Sequence, residues 1–217
     1  MTLKAHRKAA TSGTTDTVMV FLHGYGADGA DLFGLSEAFA PAMPDTVFLA
    51  PDAPEPCAVN PMGRQWFPIP HMDGSSPVQA AQSMAASEDA LAAYLDGVLA
   101  DEGIAPEKLI LFGFSQGTMM SLRHAPRRDA PIAAILGFSG RLVQPDDFSD
   151  TVRSRMPVFL THGDADPVVP FSEMATAEAA LKAADFMVET HVMPGTPHGI
   201  APDGLQAAFD FLRRHVL

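Results

Sequence analysis

Short apolar runs alternate with segments of helical periodicity along this chain. The runs are continuous rather than alternating, which is typical of strands that are buried on both faces in a parallel sheet. Such strands are predicted at residues 17–22, 46–50, 109–112, 132–138 and 157–161. Residues 186–193 alternate apolar with polar positions, which predicts an edge strand.

Helices are predicted in the segments between these runs. They are expected at residues 30–39, 78–100, 116–124, 171–184 and 202–217. Strands that alternate with helices indicate an α/β fold with a mostly parallel central sheet and helices on both faces. A chain of 217 residues with 47% apolar content is long enough for one well-buried domain and short for two, so we expect a single domain over residues 1–217.

Residues 55–77 interrupt the pattern. Prolines, glycines and isolated polar residues predict a long loop without regular structure, and this loop contains Arg64, Trp66 and Phe67. Loops of that length in compact domains are often functional, and exposed aromatic side chains on one suggest a binding lip. The alternative is that Trp66 and Phe67 anchor the loop to the core, and the sequence leaves both interpretations open.

Charge narrows the classes of partner. The chain carries a formal net charge of −12 and has a pI near 4.9. Without a lysine or arginine cluster it cannot release counterions from phosphates, so a nucleic-acid partner is not expected. No apolar run approaches transmembrane length, and we expect no stable membrane insertion. A homodimer is left open.

The cysteine content and the first residues favour a cytoplasmic protein. Cys57 is the only cysteine, so no internal disulfide can form. Lys4, Arg7 and Lys8 are not followed by an apolar core of signal-peptide length. No motif places a histidine beside Cys57. We therefore interpret Cys57 as structural rather than nucleophilic.

The segment Gly113–Phe114–Ser115–Gln116–Gly117 carries the first candidate chemistry. It follows an apolar run and precedes a predicted helix, and a serine on such a sharp strand-to-helix turn projects from the sheet edge. The N-terminus of that helix makes the Gln116 N–H a candidate oxyanion donor. The motif by itself is weak, and Ser139 lies in a similar segment. However, Arg141 occupies the position of the second elbow glycine there, so we interpret Ser139 as structural.

A base and an orienting acid are available after the serine. Asp164 and Asp166 both follow the strand predicted at 157–161, and Asp166 is favoured because the Pro-Val-Val-Pro segment after it would fix its backbone. His162 is interpreted as packing or hydrogen-bonding within this turn rather than as a catalytic residue. His198 lies between proline and glycine on the loop after the last strand, where core packing gives no reason for a histidine. The order Ser115, Asp166, His198 is that of an α/β-hydrolase triad.

With these motifs the chain resembles the phospholipase/carboxylesterase family of α/β-hydrolases. The resemblance runs from about Thr17 to the C-terminus through Leu-His-Gly-Tyr-Gly-Ala-Asp-Gly, Gly-Phe-Ser-Gln-Gly, His-Gly-Asp-Ala-Asp-Pro-Val-Val-Pro and His-Gly-Ile. It implies an α/β-hydrolase fold without a large cap domain. The chain departs from the family in carrying Pro68 where an acid commonly follows Trp-Phe, and in an abbreviated segment before Thr17.

The resemblance also implies roles for individual residues. It assigns Ser115, Asp166 and His198 as the catalytic triad, and the backbone N–H groups of Tyr25 and Gln116 as the oxyanion hole. The segment 60–67 is similar to the family's segment beside the acyl pocket, which makes substrate-binding candidates of Arg64, Trp66 and Phe67.

The expected activity is hydrolysis of carboxylic esters with short to medium acyl groups, through an acyl-enzyme and without metal or organic cofactor. The substrate is therefore expected to be a small-molecule ester or thioester. The alternatives are an acyl-protein thioesterase or lysophospholipase, and a binding protein that kept the fold without turnover. The same residues can expel oxygen or sulfur, so the sequence separates esterase from thioesterase poorly.

Overall fold

The computed structural model describes residues 3–144 and 148–217. The chain divides into two compact units, Met1–Ala105 and Pro106–Leu217. Within the described residues, no helix combines the length and apolarity that crossing a membrane requires.

The first unit is built on a strand that pairs on both sides. Its elements are β1 (Ala5–Lys8), β2 (Thr17–Leu22), α1 (Gly29–Phe33), α2 (Ser36–Phe39), β3 (Thr46–Pro51), β4 (Glu55–Pro56), β5 (Arg64–Gln65), α3 (Pro70–Asp73) and α4 (Pro77–Glu102). Strand β3 runs parallel to β2 and antiparallel to β1. Every residue of β2 and β3 is buried, as their continuous apolar runs predicted.

Helix α4 has clear signals at both ends. Ser76 and Gln79 form a reciprocal capping box at its start, and Gly103 ends it in the left-handed region at φ 66°. Its C-terminal half carries the buried stripe, which comprises Leu91, Tyr94, Leu95, Val98 and Leu99. The predicted helix at 78–100 is thus observed, longer by a residue or two at each end.

In the second unit, the strand pairs among the described residues are all parallel. Its elements are β6 (Leu109–Phe114), α5 (Gln116–His124), β7 (Ala134–Phe138), α6 (Phe148–Thr151), β8 (Val158–Gly163), α7 (Ser172–Ala183), β9 (Val188–Met193) and α8 (Pro202–His215). The strands pair in the order β6, β7, β8, β9. Because the carboxyl ends of parallel strands meet at one edge, the segments that follow β6, β7, β8 and β9 are brought together.

Helices cover these strands. Helix α5 packs against β6 and β7, and α8 packs against β8 and β9. The buried residues of α8 include Ala208, Phe211 and Leu212, which share one helical face. Strand β9 is only partly buried, as expected for an edge strand.

The structure differs from the sequence predictions in three places. Strand β1 was not predicted, because its sequence Ala-His-Arg-Lys is mostly polar and only pairing with β3 makes it a strand. The segment 55–77 is not devoid of regular structure, since β4 pairs with β5 and a short helix, α3, follows. The helix predicted at 30–39 is two short helices, α1 and α2, separated at Gly34 and Leu35.

Candidate active site

Ser115 occupies a strained turn between β6 and α5. Its backbone has φ 53° and ψ −114°, a conformation that side-chain-bearing residues rarely adopt. The turn is tight because α5 passes close to the strand: a Cβ on Gly113 would lie 2.4 Å from the backbone nitrogen of Thr118. Thr118 links helix α5 to strand β6, because its hydroxyl donates to the Gly113 carbonyl oxygen at 2.8 Å. Local sequence therefore dictates the elbow that was predicted.

His198 and Asp166 are brought together by the loops after β9 and β8. The distance from His198 Nδ1 to Asp166 Oδ2 is 2.7 Å, and the Asp166 side chain is fully buried. The His198 ring packs at a centroid distance of 4.9 Å against Phe114, the residue before Ser115. The second unit thus places the three predicted triad residues around one edge of its parallel strands.

The Asp166 carboxylate is held by several donors. Its Oδ1 accepts hydrogen bonds from the backbone N–H groups of Val168 at 2.8 Å and Val169 at 3.0 Å. Burial raises the pKa of the Asp166 carboxyl, but the hydrogen bonds from His198, Val168 and Val169 outweigh it and leave the pKa below its usual value. The carboxylate therefore stays ionised at neutral pH.

An ionised Asp166 determines which nitrogen of His198 bears the proton. A carboxylate can only accept, so Nδ1 of His198 donates to Asp166 Oδ2 and Nε2 of the neutral ring keeps its lone pair. Such a ring can act as a base. The Ser115 hydroxyl makes no hydrogen bond within the described part of the chain. Contacts between a catalytic serine and its base are often loose before substrate binds.

His162 is a further contact of the acid. Its Nε2 lies 3.0 Å from the Val169 carbonyl oxygen and 3.2 Å from Asp166 Oδ2, and the ring is buried. Both neighbours are acceptors, so Nε2 carries a proton and donates within the turn. The sequence predicted that His162 packs or hydrogen-bonds within the turn, but it did not predict the contact with Asp166. The four-residue spacing between His162 and Asp166 was the sequence signal available for this contact.

Ser139 and Asp164 have other partners. Ser139 follows β7 with φ 47° and is fully buried, and its hydroxyl donates to the Gly199 carbonyl oxygen at 3.3 Å. Asp164 Oδ1 accepts from the Gly195 N–H at 2.6 Å. Neither the Ser139 nor the Asp164 side chain forms a hydrogen bond with His198.

In the first unit, Trp66 and Phe67 are buried rather than exposed. Trp66 is 0% exposed and Phe67 is 6% exposed, and the Trp66 indole Nε1–H donates to the His23 carbonyl oxygen at 3.0 Å. Arg64 donates from Nε to the Ala53 carbonyl oxygen at 2.8 Å and from Nη2 to that of Pro54 at 2.6 Å. Trp66 and Phe67 therefore anchor the loop to the core. The alternative, that they form an exposed binding lip, is wrong for both side chains.

Tyr25 lies in the turn after β2, within the first unit. The turn is paired with the loop that holds Arg64: Gly26 N–H donates to the Arg64 carbonyl oxygen at 2.9 Å, and Arg64 N–H donates to that of Ala27 at 2.7 Å. The Tyr25 phenol donates to Asp73 Oδ2 at 3.0 Å. Burial and the neighbouring Cys57 and Asp73 raise the pKa of Tyr25, which stays protonated. Gln116, the other predicted oxyanion donor, begins α5 in the second unit.

Within the described residues, no three His, Cys, Asp or Glu side chains are grouped so that they could hold a metal ion.

The chain is similar in sequence to known esterases and thioesterases. The family model for Phospholipase/Carboxylesterase matches residues 7–216. Acyl-protein thioesterase 1 of Gibberella zeae is 31% identical over 226 residues, with 95% of this chain and 93% of that protein covered. Esterase YpfH of Escherichia coli is 25% identical, with 90% and 82% covered.

A solved structure shows the same fold. The crystal structure of esterase PE8 superposes with a TM-score of 0.94 at 38% identity and covers 100% of both chains. The α/β-hydrolase fold expected from the sequence is confirmed, with no large cap domain evident among the described residues. The chain therefore belongs to the phospholipase/carboxylesterase family of α/β-hydrolases, and it is a hydrolase of the esterase and thioesterase type.

Proposed function

We propose that this protein hydrolyses carboxylic esters through a Ser115–His198–Asp166 triad and an acyl-enzyme. The observation that carries the proposal is the 2.7 Å hydrogen bond from His198 Nδ1 to a fully buried Asp166, in the same unit as the strained Ser115. This bond leaves His198 Nε2 free to act as a base toward Ser115, whose preceding residue Phe114 packs against the His198 ring.

The chemistry follows from these roles. Ser115 Oγ attacks the ester carbonyl carbon while its proton passes to His198 Nε2. The imidazolium that forms is stabilised by Asp166, and it then protonates the leaving alcohol as the carbon–oxygen bond breaks. Water attacks the acyl-enzyme in the same way, which releases the acid and restores Ser115.

The developing oxyanion requires backbone donors. Gln116 N–H begins helix α5, where free N–H groups and the positive end of the helix dipole favour negative charge. The second donor is predicted to be Tyr25 N–H, and the family resemblance supports this pairing. Direct contact of Arg64, Trp66 or Phe67 with substrate stays a prediction. The hydrogen bonds of Arg64 and Trp66 and the burial of Phe67 indicate that these side chains support the loop rather than project from it.

Paired serine variants test the proposal. Ser115→Ala is expected to lower kcat for p-nitrophenyl butyrate by at least about 10⁴-fold, because it removes the nucleophile. Ser139→Ala is the matched control, since Ser139 also ends a strand with positive φ, and it should keep most of the activity. A fluorophosphonate probe should label wild type and Ser139→Ala but not Ser115→Ala. Equal losses from both substitutions would contradict the assignment.

A thioesterase or lysophospholipase is the second candidate. It is favoured by the 31% identity to a protein named acyl-protein thioesterase 1. The triad can expel a thiolate as well as an alkoxide, so the two candidates differ in the acyl group rather than in the mechanism. Rates on p-nitrophenyl esters and matched acyl thioesters of two to sixteen carbons would separate them. A maximum at four to eight carbons supports the esterase, and a rise toward sixteen carbons supports the alternative.

We also propose that the whole chain acts as one hydrolase domain in the cytoplasm. The match of the family model to residues 7–216 supports one functional domain, and the single buried, free Cys57 suits a reducing compartment. Independence from metals and organic cofactors likewise stays a prediction.

A further inference from the structure

His162 is a buried polar residue to which the proposed mechanism gives no step. It lies in β8 and is 1% exposed. Its ring borders a small cavity that is also lined by Leu122, Leu160 and Met174, and Phe171 packs edge-on against it at a centroid distance of 6.1 Å. Packing alone would favour an apolar side chain here, because burying a polar ring costs free energy unless its nitrogen atoms form polar contacts.

The compensating contacts lie at Nε2 of His162. This nitrogen bears a proton and lies 3.0 Å from the Val169 carbonyl oxygen and 3.2 Å from Asp166 Oδ2. The N–H of Val169 in turn donates to Asp166 Oδ1 at 3.0 Å. His162 therefore holds the carbonyl of a residue whose own N–H binds the carboxylate, and its ring N–H lies beside the other carboxylate oxygen.

That second oxygen is shared by two histidines. His198 Nδ1 lies 2.7 Å from the same Oδ2, and the Asp166 side chain is fully buried. An N–H group beside a carboxylate favours its ionised form and partly balances its charge. The His162 N–H therefore helps to keep Asp166 ionised, and it moderates how strongly the carboxylate attracts a proton onto His198. Burial keeps solvent from screening either effect.

We propose that His162 is a positioning residue for the proposed triad: it fixes the Asp166 carboxylate through Val169 and through Oδ2, and thereby fixes the orientation of His198. The inference rests on the proposed hydrolase function and adds to it the residue that orients its acid. All four residues belong to the second unit.

Two substitutions of equal length separate this role from packing. His162→Gln places an amide N–H close to the position of Nε2 and can keep the contacts with Val169 and Asp166. His162→Met has a side chain of the same length without a donor, and it suits the apolar cavity beside the ring. Both variants remove the ring, so their difference reports the N–H group.

We expect kcat for p-nitrophenyl butyrate to fall by about 5- to 20-fold in His162→Met and by less than about threefold in His162→Gln, with KM within about threefold of wild type in both. The loss in His162→Met is smaller than for removal of the acid itself, which costs about 10⁴-fold in kcat in a comparable triad. Equal losses in the two variants, or kcat losses that follow the melting temperature, would overturn the proposal.

The pH profile of kcat/KM provides a readout that a purely structural role would not move. Without the His162 N–H the charge of Asp166 is less balanced, which favours the imidazolium of His198 over the neutral base. The midpoint of the acid limb should therefore rise by about 0.3–0.7 pH unit in His162→Met and by less than about 0.2 in His162→Gln. Of the other neighbours, Phe114 carries no charge and Asp164 accepts from the Gly195 N–H. An unchanged midpoint in His162→Met would contradict the proposal.

A double-mutant cycle tests whether His162 acts through the acid. In the Asp166→Asn background, His162→Met should lower kcat by less than about twofold further, because the group that it positions is already lost. A further loss as large as that in the wild-type background would show that His162 acts independently of Asp166, and would overturn the inference.

One measurement does not depend on variants. The ¹⁵N-histidine NMR spectrum of the wild-type protein at pH 7 should show a proton on Nε2 of His162, and an Nδ1–H tautomer would contradict the inference even if neither variant folds. Inactive wild type, or active Ser115→Ala, would instead refute the proposed function. With those two results as expected, equal kinetics for His162→Met and His162→Gln would refute the role of His162 alone.

Discussion

Several contacts together hold the Asp166 side chain in place. Its two carboxylate oxygens contact the His198 ring, the His162 ring and two backbone N–H groups. A buried carboxylate without such donors would protonate or distort the turn. These donors keep the Asp166 carboxylate ionised, and its negative charge keeps the His198 proton on Nδ1.

Asp166→Asn is expected to lower kcat by roughly 10²- to 10⁴-fold, because an amide can present N–H to His198 and stabilise the wrong tautomer. The control is Asp164→Asn, since Asp164 accepts from Gly195 N–H and has no hydrogen bond to a histidine among the described residues, and it should change kcat by only a few fold. Initial rates on p-nitrophenyl butyrate measure both. If Asp164→Asn is the more damaging change, Asp166 is not the orienting acid.

At the scale of elements, the close packing of β6 against α5 decides where Ser115 points. Gly113 is surrounded by backbone atoms of the helix, and Thr118 bonds to both β6 and β7. The sequence predicted this strand, turn and helix because each depends on neighbouring residues. It did not predict β1 or the β4–β5 pair, since short polar strands exist only through partners distant in the chain.

Gly113→Ala is expected to destabilise the protein by at least about 2 kcal/mol, since its Cβ would lie 2.4 Å from Thr118 N and 2.6 Å from the Gly117 carbonyl oxygen, and backbone cannot move aside cheaply. Gly97→Ala is the matched control. Gly97 lies in α4, and beyond the neighbouring backbone of that helix no atom of the described residues lies within 4 Å of the added Cβ. This change should therefore stabilise the protein by about 0.5–1 kcal/mol.

Urea unfolding followed by circular dichroism gives both free energies. A neutral Gly113→Ala would show that the approach of α5 is looser than described. A destabilising Gly97→Ala would show that the exposed face of α4 has another role.

At the scale of the whole molecule, acidic groups with lowered pKa values occur in both units. They are Asp73 in the first unit, and Asp166, Glu189 and Asp203 in the second. A carboxyl group whose pKa is lower when folded stabilises the protein above its unfolded pKa of about 3.9, and this stabilisation is lost as pH falls through the folded pKa. We expect stability to decline below about pH 4.

Asp73 provides the sharpest test of that decline. Burial raises its pKa, but hydrogen bonds from Ser75, Ile69 and Tyr25 prevail and lower it to about 2. Asp73→Asn should therefore reduce the free energy of unfolding at pH 7, and the difference from wild type should narrow between pH 4 and pH 2. Asp101→Asn, at an exposed position in α4, should leave the curve unchanged. A difference for Asp73→Asn that is constant with pH would contradict this account.

The sequence by itself determined the alternation of buried strands with helices, the elbow at Ser115 and the order of serine, acid and histidine. These features depend on residues that are neighbours in the chain or on their order along it. The sequence preferred Asp166 over Asp164, but only the loops after β8 and β9 bring a carboxylate against His198. Tertiary packing likewise buried Trp66 and put Ala53 against His23, because contacts between residues distant in sequence exist only once the chain has folded.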